Sequence, residues 1–358
     1  MSDNAYVRLP GLVDVHVHLR TPGGEHKEDV RSGTAAALAG GFTTVLAMPN
    51  TLPPLVTLTD LRSACRRADA EALCDVHYFA GASAEHTDEL QSLGRKAVGL
   101  KIYMDQTYGP LRVGGLLTLL RCFQRWPREK PIAVHAEGES LAAAIGLAAA
   151  FDRPLHLCHV SRATEIALIA QAKQRGLPVT CEVTPHHLFL TKGDLGRLGP
   201  LGDMRPTLGS QADVAALWAH LDSTVDCIAT DHAPHTLAEK QGAEPPPGVP
   251  GLETALPLML TAVDDGRLTL ERLVALMATN PRRIFGLQEQ PETWIEVEVG
   301  PTWELSNDGL RTRCGWTPFA GFAVKGRVHR VQLRGQIVFQ KGDIGPLGSI
   351  HRSSKGPL

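Results

Sequence analysis

Eight short aliphatic runs recur along the chain, each followed by a stretch with helical character, and this alternation limits the fold more than any other feature. The runs are "LVDVHVHL" (12–19), "TTVLAMPN" (43–50), "DVHYFAGA" (75–82), "GLKIYM" (99–104), "PIAVHAE" (131–137), "PLHLCHV" (154–160), "LPVTCEVTPHH" (177–187) and "DCIATDHAPH" (226–235). Between them, segments such as "SGTAAALAGG", "GGLLTLLRCFQRW", "ESLAAAIGLAAAF" and "SRATEIALIAQAKQRG" space their apolar residues as helices do, and several end in Gly. Strands apolar on both faces belong to parallel sheets covered by helices. Eight such units predict an α/β fold, a (β/α)8 TIM barrel over residues 9–285.

The polar residues within these runs collect at their ends. His16, His18 and Arg20 lie at or just past the end of the first run, and Asn50 ends the second. Lys101 is in the fourth, His135 and His159 close the fifth and sixth, and Glu182 and Asp231 come late in the seventh and eighth. In a barrel the C-terminal ends of all strands meet on one face, where the active sites of this architecture lie. Alternation along a strand points His16, His18 and Arg20 the same way. A solvent-facing polar stripe would show the same spacing, but the flanking valines and leucines read as buried. Buried imidazoles need a partner, and a divalent metal is a common one.

Beyond residue 285 the pattern changes to polar–apolar alternation with Gly-containing turns, as in "TWIEVEVGPTWEL" and "KGRVHRVQLRGQIVFQKG". Residues 1–8 and 286–340 are expected to form a small β domain. The Gly/Ser/Pro-rich stretch 341–358 reads as a disordered tail or linker. A net charge of −2 gives no reason to expect nucleic acid or a membrane surface as partner. No apolar run approaches the roughly 18–20 residues of a membrane span, the first residues lack a signal-peptide core, and the chain reads as cytoplasmic. Seven scattered cysteines without a CxxC pair read as buried thiols, not as a disulfide framework.

Taken together, "DVHVHLR", "AMPN", "GLKIYM", "VHAE", "CHVS" and "TDHAPH" resemble the amidohydrolase superfamily. Within it they are similar to the cyclic amidohydrolases, most closely the dihydroorotase domains of animal multifunctional pyrimidine-synthesis proteins. The resemblance implies two zinc ions, one on His16, His18 and Asp231, the other on His135 and His159. Lys101, carboxylated by carbon dioxide, would bridge them. A carbamate is an anionic oxygen donor that can span two cations, where an ammonium could not sit. Taken alone, Lys101 would read as a snorkelling surface lysine. The zincs would share a hydroxide nucleophile and polarise the carbonyl it attacks. Asp231 would act as general base and then acid, passing the proton to the leaving ring nitrogen. The implied reaction is the reversible cyclisation of N-carbamoyl-L-aspartate to L-dihydroorotate in pyrimidine (UMP) biosynthesis.

Dihydroorotate carries a carboxylate, which the planar guanidinium of Arg20 can hold through two hydrogen bonds. The resemblance adds Asn50, His235 and Arg205 to the pocket, and places backbone groups around Pro247 against the substrate ring. It implies a lid at "MDQTYGPLR", with Thr107 and Tyr108 covering the substrate. Tyr108 stands where the animal enzymes carry phenylalanine, and Thr21 where a carboxylate usually follows the arginine. The resemblance also implies a third zinc near Cys158 and Glu182. Strand parity turns Cys158 away from His159, so a plain buried thiol and a carboxylate orienting a ligand histidine is the competing reading. A hydantoinase or allantoinase on the same scaffold, and an inactive scaffold relative, are the alternatives to a dihydroorotase. The inactive relatives typically lose metal ligands, whereas all six positions are filled here. The resemblance further implies a homodimer, fused or assembled with carbamoyl-phosphate synthetase and aspartate transcarbamoylase.

Overall fold

In this computed structural model, which describes residues 5–345, every residue of the first barrel strand is buried. The chain opens on β1 (Ala5–Pro10) and enters the barrel at β2 (Leu12–Val17), β3 (Phe42–Ala47), β4 (Asp75–Tyr78) and β5 (Ala80–Gly81). It continues through β6 (Leu100–Tyr103), β7 (Ile132–His135), β8 (Leu155–Leu157), β9 (Val179–Val183) and β10 (Cys227–Ile228). Consecutive strands pair in parallel. β4 and β5 flank Phe79 and pair with β3 and β6 respectively, so together they act as one stave. The ring closes where the His18 N–H donates to His232 O at 2.8 Å and Val17 bridges His232 in parallel. The eight runs are therefore the eight staves of the expected barrel.

Local chemistry starts the covering helices. Asp29 and Ser32 form a reciprocal capping box on the helix Val30–Ala39, and Ser210 and Asp213 do the same for Gln211–Ala219. Each such cap is worth about 1 kcal/mol. The hydrophobic cluster between staves and helices runs unbroken from Leu12, Val45 and Ile102 to Leu256 and Leu260.

The C-terminal part adds β11 (Trp294–Val299), β12 (Trp303–Glu304), β13 (Ala323–Val324), β14 (Arg327–Leu333), β15 (Gln336–Gln340) and β16 (Asp343–Ile344). An antiparallel sheet in the order β1-β11-β14-β15-β16 joins the N-terminus to this segment. β1 runs on to Pro10, two residues beyond the boundary expected for the barrel. Ile295, Val297 and Val331 of this sheet share the barrel's cluster. The tail expected from 341 begins instead with a hairpin, in which Lys341 and Gly342 at φ 51° and 90° return the chain so that Ile344 pairs with Phe339. The rest of that tail, 346–358, lies outside the described residues, as do 1–4. Among the described residues no helix is long and apolar enough to cross a membrane.

Candidate metal centre

β2 and the loop after β10 bring the first group together. His16 Nε2 stands 3.3 Å and His18 Nε2 3.1 Å from Asp231 Oδ1, and the donor atoms of all three lie within 4.8 Å of one another. The other ring nitrogen of each histidine is also engaged, His16 Nδ1 by Glu182 Oε1 at 2.5 Å and His18 Nδ1 by Asn50 Oδ1 at 2.7 Å. These contacts fix the rings with Nε2 turned inward, as carboxylate and amide groups around metal-ligating histidines do. Burial pushes the His18 imidazole down to about 4, against the pull of Asp231. Burial works against the Asp231 carboxylate, but the neighbouring imidazoles hold it well below the usual range. A neutral imidazole and an anionic carboxylate are the forms that offer lone pairs to a cation.

The second group is built from β6, β7 and β8. His135 Nδ1 meets His159 Nε2 at 2.9 Å, while His135 Nε2 and His159 Nδ1 are buried without a hydrogen-bond partner. Glu137 Oε1, 3.7 Å from His135 Nε2, is too far to supply one. Burial drives the His159 imidazole well below its usual range. The two groups adjoin, with the rings of His16 and His159 5.1 Å apart. Lys101 is fully buried beside them; its Nζ lies 2.9 Å from Cys158 Sγ, and no carboxylate pairs with it among the described residues. Such an arrangement of nitrogens and a lone buried lysine is costly by itself and suits an occupant that accepts lone pairs.

Three of these residues depart from regular backbone. Arg20, His159 and Asp231 have φ of 56°, 35° and 46°, a region non-glycine residues rarely adopt. Strand alternation therefore ends at two places. β8 ends at Leu157, and the left-handed turn at His159 lets Cys158 and His159 both serve the centre: Cys158 Sγ, His16 and Glu182 form a second close donor group. β2 ends at Val17, so Arg20 reaches the site by its own turn and not by alternation. Glu182 is shared, with Oε1 on His16 Nδ1 and the His159 N–H, and Oε2 3.0 Å from His156 Nε2.

Beside the metal groups lies a cationic corner. Arg20 Nε donates to Pro234 O, and its Nη2 lies 3.0 Å from His235 Nε2, which is 3.1 Å from Pro247 O. Asn50 Nδ2 donates to Tyr108 O, and the Tyr108 ring stands edge-on to His235 with centroids 4.8 Å apart. The support that a carboxylate at position 21 would give Arg20 comes here from the Pro234 carbonyl; Thr21 is buried with its hydroxyl unpaired. Two expected pocket residues have no hydrogen bond to this corner among the described residues. Arg205 pairs with Asp203 and with Met204 O, and the Thr107 carbonyl accepts from Gln106 Nε2. Several residues join the site unforeseen. Asp14, two before His16, is buried with its carboxyl pushed up to about 7 by burial, and binds Thr230 and the His16 N–H. Its place in the alternating pattern was the available signal. His156, Lys27, His232 and Trp316 carried none, because their roles depend on residues far along the chain. Trp316 Nε1 donates to His235 O at 2.7 Å, and His232 is paired with Glu28.

Residues 7–338 match the amidohydrolase family. The chain is 49% identical over 345 residues to "Multifunctional protein CAD" of Squalus acanthias, covering 96% of this chain but only 15% of that protein's length. It is 35% identical to "Dihydroorotase" of Pyrococcus furiosus, covering 96% of this chain and 84% of that one. Among solved structures it resembles the L-hydantoinase of Arthrobacter aurescens, with a TM-score of 0.90, 26% identity, and 94% and 86% of the two chains covered.

Proposed function

This chain belongs to the amidohydrolase family, and we propose that it is a zinc-dependent dihydroorotase, interconverting L-dihydroorotate and N-carbamoyl-L-aspartate in pyrimidine biosynthesis. The observation that carries this reading is the placing of Arg20, Asn50 and His235 beside two groups of metal donors. The orphaned nitrogens of His135 and His159 and the close set His16, His18 and Asp231 fit two divalent cations. Lys101 fits the bridging position once carboxylated, because a buried ammonium without an anionic partner gives way to an anionic oxygen donor. Cys158 with Glu182 and His16 would hold a third ion. Zinc bound at the two principal positions would supply a nucleophile at neutral pH and polarise the ring carbonyl.

This chain's own residues do the rest. Asp231, anionic and between His16 and His18, receives the nucleophile's proton and returns it to the ring nitrogen as the amide C–N bond breaks. Arg20 holds the substrate carboxylate, with Asn50 and His235 beside it, and Pro247 borders the ring. Tyr108 closes over the corner from the lid, with Thr107 next to it and Arg205 at the rim. The structural likeness to a hydantoinase favours a neutral cyclic imide instead; against it, a buried Arg20 without an anionic substrate would be left uncompensated. The match to one segment of a multifunctional protein supports work beside other activities. The family resemblance names these as carbamoyl-phosphate synthetase and aspartate transcarbamoylase, and the cytoplasm as the place. The homodimer follows the family resemblance, and sedimentation at working concentration tests it.

The deciding experiment compares the metal-loaded wild type with Lys101→Ala on L-dihydroorotate and on hydantoin. Turnover of dihydroorotate in the wild type alone, with metal content falling in the variant, is expected. Turnover of hydantoin in preference, or of neither by a metal-loaded protein, would refute the assignment.

A further inference from the structure

His235 sits between two cations. Lys27 Nζ is 3.0 Å from its Nδ1 and Arg20 Nη2 is 3.0 Å from its Nε2, while Pro247 O accepts from Nε2 at 3.1 Å. Burial, with Arg20 and Lys27 adding repulsion, keeps the imidazole far below its usual range, so the ring is neutral and carries one N–H. If that hydrogen were on Nδ1, it would face the Lys27 ammonium donor to donor, and Pro247 O would lose its partner. With the hydrogen on Nε2, Nδ1 accepts from Lys27 and Nε2 donates to Pro247 O, so two of the three contacts are satisfied and only Arg20 Nη2 faces a donor, against one of three with the hydrogen on Nδ1.

Lys27 is buried and its ammonium has three hydrogens for three acceptors: His235 Nδ1, Tyr108 Oη at 3.0 Å and Glu239 Oε1 at 2.9 Å. Partial burial of Glu239 acts against its ionisation, but Lys27 and His26 hold its carboxyl at about 2, so the ammonium keeps an anionic partner. We propose that Lys27 is a positioning residue for the substrate site, fixing His235 as the Nε2–H tautomer and latching the lid through the hydroxyl of Tyr108. In that tautomer Nε2 cannot accept from Arg20. Arg20 Nη2 is then left with no other acceptor among the described residues, an opening shaped for an oxygen of the ligand's carboxylate. One group thus prepares the anion site and holds the lid over it. The inference rests on the reading of Arg20 and His235 as the carboxylate site.

The test uses the metal-loaded protein with 15N-labelled histidine, the His235 signals being assigned by their loss in His235→Gln. Nδ1 is expected to resonate as an unprotonated nitrogen and Nε2 as a protonated one; a wild type carrying Nδ1–H overturns the proposal whatever the activity. In Lys27→Met the two tautomers should mix, and KM for dihydroorotate should rise about tenfold with kcat within about threefold, as loss of a charge-assisted hydrogen bond used only in binding predicts. Lys27→Arg should restore much of the affinity. An unchanged tautomer and KM in Lys27→Met would overturn the positioning role. Tyr108→Phe, which spares the fold, should keep the tautomer and raise KM about threefold; an unchanged KM would overturn the latch. Absence of dihydroorotate turnover in the wild type would defeat the assigned reaction, while the tautomer measurement would still decide the role of Lys27.

Discussion

The two halves of the centre differ in how far the protein satisfies them without a metal. Around β2, His16 and His18 each face an oxygen on both ring nitrogens, Asp231 on one side and Glu182 or Asn50 on the other. A neutral ring there donates its one N–H on one side and sets a lone pair against oxygen on the other. Around β7 and β8, His135 and His159 meet only each other, and one nitrogen of each is buried and unpaired. Each ring of the first half is held by at least one hydrogen bond to an oxygen and turns its other nitrogen to a second; the rings of the second half hold only each other. An unpaired buried polar atom costs about 1–3 kcal/mol, so the β7–β8 half stores cost that binding would repay, while the β2 half is held in place either way.

The largest break in this comparison should come at Asp231, which serves the first half and the chemistry. Asp231→Asn keeps the shape but removes the charge and the proton acceptor. Turnover of dihydroorotate by this variant should fall about 10²–10⁴-fold, the range of a general base, with a loss of bound metal measured by elemental analysis. Retained turnover would take the proton transfer away from this residue.

A smaller effect, shared by both halves, is read by pH. His18 titrates at about 4 in the folded chain against 6.5 for the free group, because burial disfavours its charged form. Between those values the unfolded chain binds a proton that the folded one does not, so stability rises with pH across the window and is lost as pH falls from about 6.5 to about 4. His18 alone contributes up to about 3 kcal/mol there. Urea unfolding of chelated protein across this range should show that slope. The other buried histidines, His135 and His159 among them, add to it with the same sign, and His18→Asn should reduce it by the His18 share. A flat wild-type profile would contradict the buried, neutral ring.

The sequence made the staves legible because eight aliphatic runs leave few alternatives, and it made the histidines legible because polar residues at strand ends are conspicuous. Alternation put His16, His18 and Arg20 on one side, where they do meet, although Arg20 arrives by a left-handed turn past the strand; it misled at Cys158, next to the left-handed His159. Such turns leave no mark in residues that are neither Gly nor Asn. Lys27 carries no signal of its role in the sequence, and only folding brings it to the His235 ring, 208 positions further along the chain. The tail was misread at 343–344 because its Gly content suggested disorder, whereas Lys341 and Gly342 make a tight hairpin turn.

The finest test of the two halves is a matched pair of substitutions in the chelated protein. His16→Leu would take a hydrogen-bond donor from the buried Glu182 carboxylate, and losing a hydrogen bond to a buried charged group costs about 1.5–3 kcal/mol. His135→Leu removes one orphaned nitrogen and creates another, since His159 Nε2 loses its partner as His135 Nε2 disappears. The polar accounts cancel, and the leucine fills a space of similar size, so stability should change by less than about 1 kcal/mol. Urea midpoints at constant m report both values. With zinc restored, the two variants should converge, because each then lacks a ligand and forfeits the stabilisation that binding adds to the folded state. Equal losses without metal would mean that the β7–β8 half is held by contacts of its own, and that its unpaired nitrogens are not what a cation answers.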